Sequence, residues 1–283
     1  MKKWNIIIDV DNCNNCNMCS LATKDEYVGN SFPGYSAEMP KRGANWIEMK
    51  KKERGQTPMI DIAYIPTMCQ HCDDAPCLKA SKNGAVIKRS DGIIIIDPEK
   101  SKGQKQIVES CPHNSIYWNE ELNIPQIWSL DAHLLDDGWK APRAVSVCAT
   151  SAMKAVKIED NEMEKLVKNE NLETLNPEHN TKPRVYYKNL HRYNKCFIGG
   201  SITSIKNKIE DCVKDAKVEL YKDELLKEQE MLAETISDDF GDFKFDKLEP
   251  NSGKYLVKIK YKKNNKTVLV DLNESINLGN IYI

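Results

Sequence analysis

Long apolar runs, net charge and aromatic side chains are all scarce in this chain. Among its 283 residues no run approaches the roughly 18 consecutive apolar residues that a membrane span needs. Mean hydropathy is −0.59, so no membrane association is expected. The 41 basic and 42 acidic residues leave a net charge of −1, which excludes bulk attraction to nucleic acid or to an anionic surface. The N-terminal segment has two lysines, but its short apolar patch soon meets Asp9 and Asp11. That is not the pattern of an ordinary secretory signal, and a cytoplasmic location is expected. No Gly-rich phosphate loop, metalloprotease helix or nucleophile triad can be read, and no catalytic residue is assigned.

What the chain does have is cysteine: ten, at positions 13, 16, 19, 69, 72, 77, 111, 148, 196 and 212. A reducing cytosol disfavours a disulfide framework. Zinc sites usually draw ligands in pairs, whereas Cys13-x2-Cys16-x2-Cys19 and Cys69-x2-Cys72-x4-Cys77 are triplets. The first triplet has the opening spacing of bacterial ferredoxins, in which three close thiolates hold corners of a [4Fe–4S] cube and a distant cysteine completes it. That distant cysteine is commonly followed by proline, and Cys111-Pro112 fits. Two triplets with Cys111 and Cys148 supply ligands for two such clusters. Spacing alone leaves the pairing open, because in two-cluster ferredoxins the fourth cysteine of one run serves the other cluster. Cys196 and Cys212 fit no pattern and are expected to be small buried hydrophobes.

The fold class expected is α+β. Residues 1–160 read as a tandem ferredoxin-like cluster-binding region, with strands at Trp4 to Asp9 and Gly92 to Asp97 feeding the cluster loops. Residues 24–67 form an insertion within it, rich in turn signals, expected as a solvated loop or, alternatively, a clamp on a partner. Residues 161–192 read as a linker with a short helix at Glu162 to Lys168. Residues 193–283 show alternation at 216–221, 242–246, 254–261, 267–271 and 276–283, the pattern of a β-sandwich. The run Asp238 to Phe245 resembles carboxypeptidase-regulatory-like domains, which implies an immunoglobulin-like sandwich. The charge-rich stretch from Tyr221 to Met231 is expected as a longer loop or a helical insertion. His71 and His113 flank cluster cysteines and are candidates for hydrogen bonds to a cluster sulfur. His133 and Asp136 are expected on a helix that makes inter-lobe or subunit contacts.

The stretches Phe32-Pro-Gly-Tyr35, Cys69-Gln-His-Cys-Asp-Asp-Ala-Pro-Cys77, Asp97-Pro-Glu-Lys100, Tyr117-Trp-Asn-Glu-Glu121, Ala132-His-Leu-Leu-Asp-Asp137 and Thr181-Lys-Pro-Arg-Val-Tyr-Tyr-Lys-Asn189 resemble the four-cluster ferredoxin subunits of molybdopterin oxidoreductases of the dimethyl-sulfoxide-reductase family. The resemblance is greatest to the transhydroxylase branch, which carries a C-terminal β-domain. It implies that Cys13, Cys16, Cys19 and Cys148 form one ligand set and Cys69, Cys72, Cys77 and Cys111 the other. It also implies that Thr23, Trp128, Asp131 and Ala144, and likewise Ser81, Ser101, Gln104 and Ile107, stand where relatives hold two further clusters. These ligands are missing by whole sets, as expected if a cube lacking one thiolate is labile. The implied partner is a large catalytic subunit with molybdenum bis-pterin guanine dinucleotide, forming a heterodimer that moves hydroxyl between trihydroxybenzenes with no net redox change. The alternatives are an electron-transfer subunit of another molybdenum or tungsten oxidoreductase, or a cluster- or zinc-containing assembly module.

Overall fold

The computed structural model describes residues 1–206, 208–222 and 231–283, with the side chain of Lys206 left aside. Most of the charge-rich stretch from Tyr221 to Met231 therefore lies outside the described residues. The chain divides into two compact units: Met1–Lys51 with Tyr64–Leu190, and Lys52–Ala63 with His191–Ile283.

The first unit is organised by a three-stranded sheet whose central strand is Lys3–Asp9. Met153–Ile158 pairs with it antiparallel and Val185–Lys188 pairs parallel. A strand covered on both faces must be continuously apolar, and Ile6 and Ile8 are fully buried. Two short hairpins, Val86–Lys88 with Ile94–Ile96 and Tyr117–Asn119 with Ile124–Gln126, complete the sheet structure. Short helices carry the cysteines between these strands. The segment expected as a linker is integrated into this unit. Its helix, Asp160–Glu170, begins with a reciprocal capping box between Glu159 and Glu162 and turns Met163 inward beside Ile7 and Leu172.

The insertion is not a solvated loop. Tyr27, Met39, Trp46, Ile47 and Ile65 are all fully or almost fully buried. Its strands Glu48–Gln56 and Met59–Thr67 form a hairpin, and the tip, Lys52–Ala63, belongs to the second unit.

That second unit holds two four-stranded sheets. In one, Cys196–Lys206 pairs with Ile209–Cys212, Asp242–Leu248 and, in parallel, Ile276–Tyr282. In the other, the order is Met231–Ile236, Lys217–Lys222, Gly253–Tyr261, Asn264–Leu272. The alternation read in the sequence puts Phe243 and Phe245 of the first sheet and Val218, Leu220, Val257 and Ile259 of the second into one core. Each such side chain contributes about 1.5–3 kcal/mol on burial. The hairpin tip packs into this unit because Gly199 has no side chain: a Cβ there would lie 2.3 Å from the Met59 sulfur. Arg54, its side chain 2% exposed, makes a bidentate pair with Asp246 at 2.7 and 2.9 Å and a second pair with Asp61. Burial alone would raise the Asp61 carboxyl, but hydrogen bonds from Arg192 and Arg54 outweigh it and hold the group at about 2. Cys196 is buried as expected. Cys212 is exposed, because it ends the wholly exposed edge strand Ile209–Cys212.

Candidate iron–sulfur centres

The two triplets fold by the same plan. In each, a loop with a left-handed residue delivers the first two cysteines, and the first turns of a helix deliver the third. Asn15 and Asn17 supply the left-handed turns of the first loop, a conformation asparagine tolerates well. Cys19 then sits in the helix Met18–Tyr27. His71 supplies the left-handed turn of the second loop, and Cys77 follows Pro76 at the start of the helix Pro76–Ala80, where a missing N–H costs nothing. The fourth cysteine of each group trails a one-turn helix: Cys148 after Arg143–Ser146 and Cys111 after Gln106–Glu109. Each one-turn helix packs on the helix of its triplet.

Cys13, Cys16, Cys19 and Cys148 line one apolar pocket with Met49, Pro66, Ala152 and Met153. Cys16 is exposed and Cys19 buried. The Met153 N–H donates to the Cys148 sulfur at 3.4 Å. Burial pushes the Cys19 thiol up to about 11; the Ser20 N–H opposes this, and Cys13, Cys16 and Cys148 add to it.

Cys69, Cys72 and Cys77 are buried and, with half-buried Cys111, pack among Ala75, Val86, Ile94, Ile96 and Ile107. The Ser115 N–H donates to the Cys111 sulfur at 3.5 Å. Burial pushes Cys77 up to about 12, and the neighbouring thiols Cys111 and Cys72 push the same way. Thiolates crowded in apolar surroundings need a strongly cationic guest to exist at all, and soft sulfur donors select iron–sulfur clusters, zinc or copper(I). Among the described residues no three Cys, His, Asp or Glu side chains converge tightly enough for one metal ion. A cube differs from a single ion in spreading its four thiolates around a wider core. The donor chemistry of both groups fits it.

The two remaining groups of four positions are filled by protein. Trp128, with 0% exposure, donates from its indole to Asp131 at 2.7 Å. The Tyr27 hydroxyl and the Arg143 N–H donate to the same carboxylate at 3.0 and 2.8 Å. Thr23 bonds the Cys19 carbonyl, and Ala144 is fully buried. At the other group, Gln104 accepts from the Lys82 N–H at 2.8 Å and donates to the Lys100 carbonyl at 2.7 Å. Ser101 and Ile107 beside it are fully buried. Asp131 thus has three donors on its oxygens.

The histidines divide. The His71 Nδ1 accepts from the Ile94 N–H at 3.0 Å, so the ring ties the cluster loop to a strand. His113 meets the Thr181 hydroxyl at 2.9 Å. His133 stacks on Phe32 and bonds Glu26 at 2.8 Å, and Asp136 pairs with Arg89 and Tyr35, so both bind parts of the first unit together. Sequence reasoning missed the cations around the second loop. Lys88 reaches the carbonyls of His71 and Cys72 at 2.7 and 2.9 Å and the Asp73 carboxylate at 2.9 Å. Buried Arg184 also pairs with Asp73. The resemblance had marked the segment 181–189 without giving it a task.

A 4Fe-4S dicluster domain family matches residues 60–158. The pyrogallol hydroxytransferase small subunit of Pelobacter acidigallici is 42% identical over all of both chains. The perchlorate reductase subunit beta of Dechloromonas aromatica is 32% identical over 57% of this chain and 50% of its own. The arsenate respiratory reductase iron–sulfur subunit of a Shewanella species is 31% identical over 48% of this chain and 53% of its own. Two thiol sets built on one plan, and a relative matched from end to end, lead to one assignment: the chain belongs to the family of pyrogallol hydroxytransferase small subunits, the non-catalytic iron–sulfur subunits of molybdoenzymes.

Proposed function

We propose that Cys13, Cys16, Cys19 and Cys148 hold one [4Fe–4S] cluster, that Cys69, Cys72, Cys77 and Cys111 hold a second, and that the chain is the small half of a cytoplasmic heterodimer. Its large partner would carry molybdenum bis-pterin guanine dinucleotide and the phenol site, and would move hydroxyl between trihydroxybenzenes with no net redox change. The full-length similarity to a pyrogallol hydroxytransferase small subunit carries this reading. Clusters held here supply one-electron storage. The protein's own part is to keep water from the buried thiols and to aim N–H groups at their sulfurs. The protein-filled positions around Asp131 and Gln104 support a redox-neutral reaction, which needs no long electron path to an outside acceptor. No two of the ten cysteines are joined in a disulfide. Among the described residues no helix is long and apolar enough to cross a membrane. The C-terminal unit is read as an immunoglobulin-like, carboxypeptidase-regulatory-like sandwich. The test is anaerobic co-purification with the neighbouring large subunit, followed by metal analysis and assay of pyrogallol conversion to phloroglucinol. About eight iron and eight sulfide per small chain are expected. A value near twelve, or bound zinc without iron, would refute the assignment.

A further inference from the structure

The second cysteine loop is gripped by the end of the hairpin Val86–Lys88 with Ile94–Ile96, where Lys88 and Ile94 stand opposite each other. The Ile94 N–H donates to the His71 ring at 3.0 Å, and the Lys88 ammonium turns onto the same loop. It donates to the His71 carbonyl at 2.7 Å and to the carbonyl of Cys72 at 2.9 Å. Its third contact is the Asp73 carboxylate at 2.9 Å. An ammonium has three N–H donors, so these three oxygens use all of them and fix the charge beside the loop. The Lys88 side chain is 19% exposed, which leaves that charge poorly screened.

Asp73 does not cancel it. Buried Arg184 shares Asp73 and reaches Asp160 at 3.0 Å, and Lys3 joins the same two carboxylates at 3.9 and 2.7 Å. The connected network thus sets Lys3, Lys88 and Arg184 against two carboxylates and has a surplus of positive charge. The first cysteine set differs. Among the described residues no charged side chain lines its pocket, and Arg143, on the one-turn helix before Cys148, is outnumbered by its partners Asp25 and Glu26.

We infer that the Lys88 ammonium acts on the second cluster as a fixed positive charge and raises its reduction potential relative to the first. This rests on the ligand assignment above. Reduction adds one electron, and so one negative charge, to the cluster, and a cation held nearby in a poorly screened site favours that form. With its donors spent on oxygen, Lys88 is a tuning residue and not a ligand.

The experiment is a potentiometric titration with dithionite, followed by electron paramagnetic resonance, on the anaerobically purified complex with its large subunit. Lys88→Met and Asp73→Asn are compared with the parent. Lys88→Met is expected to keep the full iron content and to move one of the two midpoints to a more negative value. Asp73→Asn, which removes an opposing charge, is expected to move the same midpoint to a more positive value. Opposite signs are the signature of charge, because a loosened loop would admit water in both variants and shift both the same way. An unchanged or more positive midpoint in Lys88→Met at full iron would overturn the inference and leave the ligand assignment intact. Should Lys88→Met lose a cluster, Asp73→Asn decides: a positive shift of one midpoint supports the inference, and an unchanged or negative one overturns it. A parent complex with a single cluster would refute the ligand assignment, and this inference with it.

Discussion

The two cysteine sets share a plan and differ in their surroundings. The first opens to solvent at Cys16 and is walled by methionines and alanine. The second has three buried thiols and two cations braced against its loop by Asp73. One loop-and-helix plan can therefore serve thiol sets with different accessibility and different electrostatics. The surroundings, supplied by residues distant in sequence, set the difference.

Complete removal of iron should separate the cluster-bearing unit from the β unit most sharply. After chelation of the full-length chain, hydrogen exchange is expected to rise through 1–51 and 64–190, because cluster binding is folding free energy there. The strands Lys217–Lys222 and Gly253–Tyr261 are expected to stay protected by their own core. Loss of protection in those strands would mean that the β unit depends on the clusters.

Single-ligand changes should divide the sets from each other. Cys77→Ala and Cys16→Ala are each expected to remove about half the iron, leaving one cluster. Cys77→Ala should lower the melting temperature further, because it also empties space in a packed core. Limited exposure to air or chelator should remove the cluster beside exposed Cys16 first. Simultaneous loss from both sets would erase the distinction drawn from their burial.

A change in the β unit should leave both sets untouched. Arg54→Leu removes the buried partner shared by Asp246 and Asp61 while leaving Lys244 on the first and Arg192 on the second, and is expected to cost about 1–3 kcal/mol, with iron content unchanged. The pH dependence has a definite sign. Asp61 is held at about 2, below its ordinary 3.8, so its contribution is present above pH 4 and is lost as pH falls through 2. Denaturant midpoints measured between pH 5 and 2 should fall more steeply in the parent than in the variant.

The smallest effect is expected at Asp131→Asn. The amide keeps an acceptor for Trp128 and Tyr27 but turns an NH2 toward the Arg143 N–H. A cost of about 1–2 kcal/mol follows, with both clusters retained. Loss of the first cluster alone would show that this carboxylate does more than fill space.

The two groups of clustered thiols were legible because their cysteines recur at short spacings, and the strands of the β unit because alternation forces period two. The pairing of Cys148 with the first triplet came from family resemblance and not from spacing. Longer-range contacts left no local trace. Tyr27 and Asp131 meet across 104 positions, His113 and Thr181 across 68. The assignment of the hairpin tip to the β unit hangs on a glycine that only a folded neighbour explains. Cys212 looked like a core thiol because burial of cysteine is the common case, and only its edge-strand position shows otherwise.

The strand Lys3–Asp9 has consequences for how the molecule is made. It is made long before its partners, Met153–Ile158 and Val185–Lys188, and before Cys148, the last thiol of the adjacent set. For most of translation the earliest cysteines are therefore tethered to a strand with nothing to pair with. Stable cluster delivery must wait until well over half the chain has left the ribosome. Factors that donate iron and sulfide would then meet a polypeptide already extended past Val185–Lys188 and not the first triplet alone.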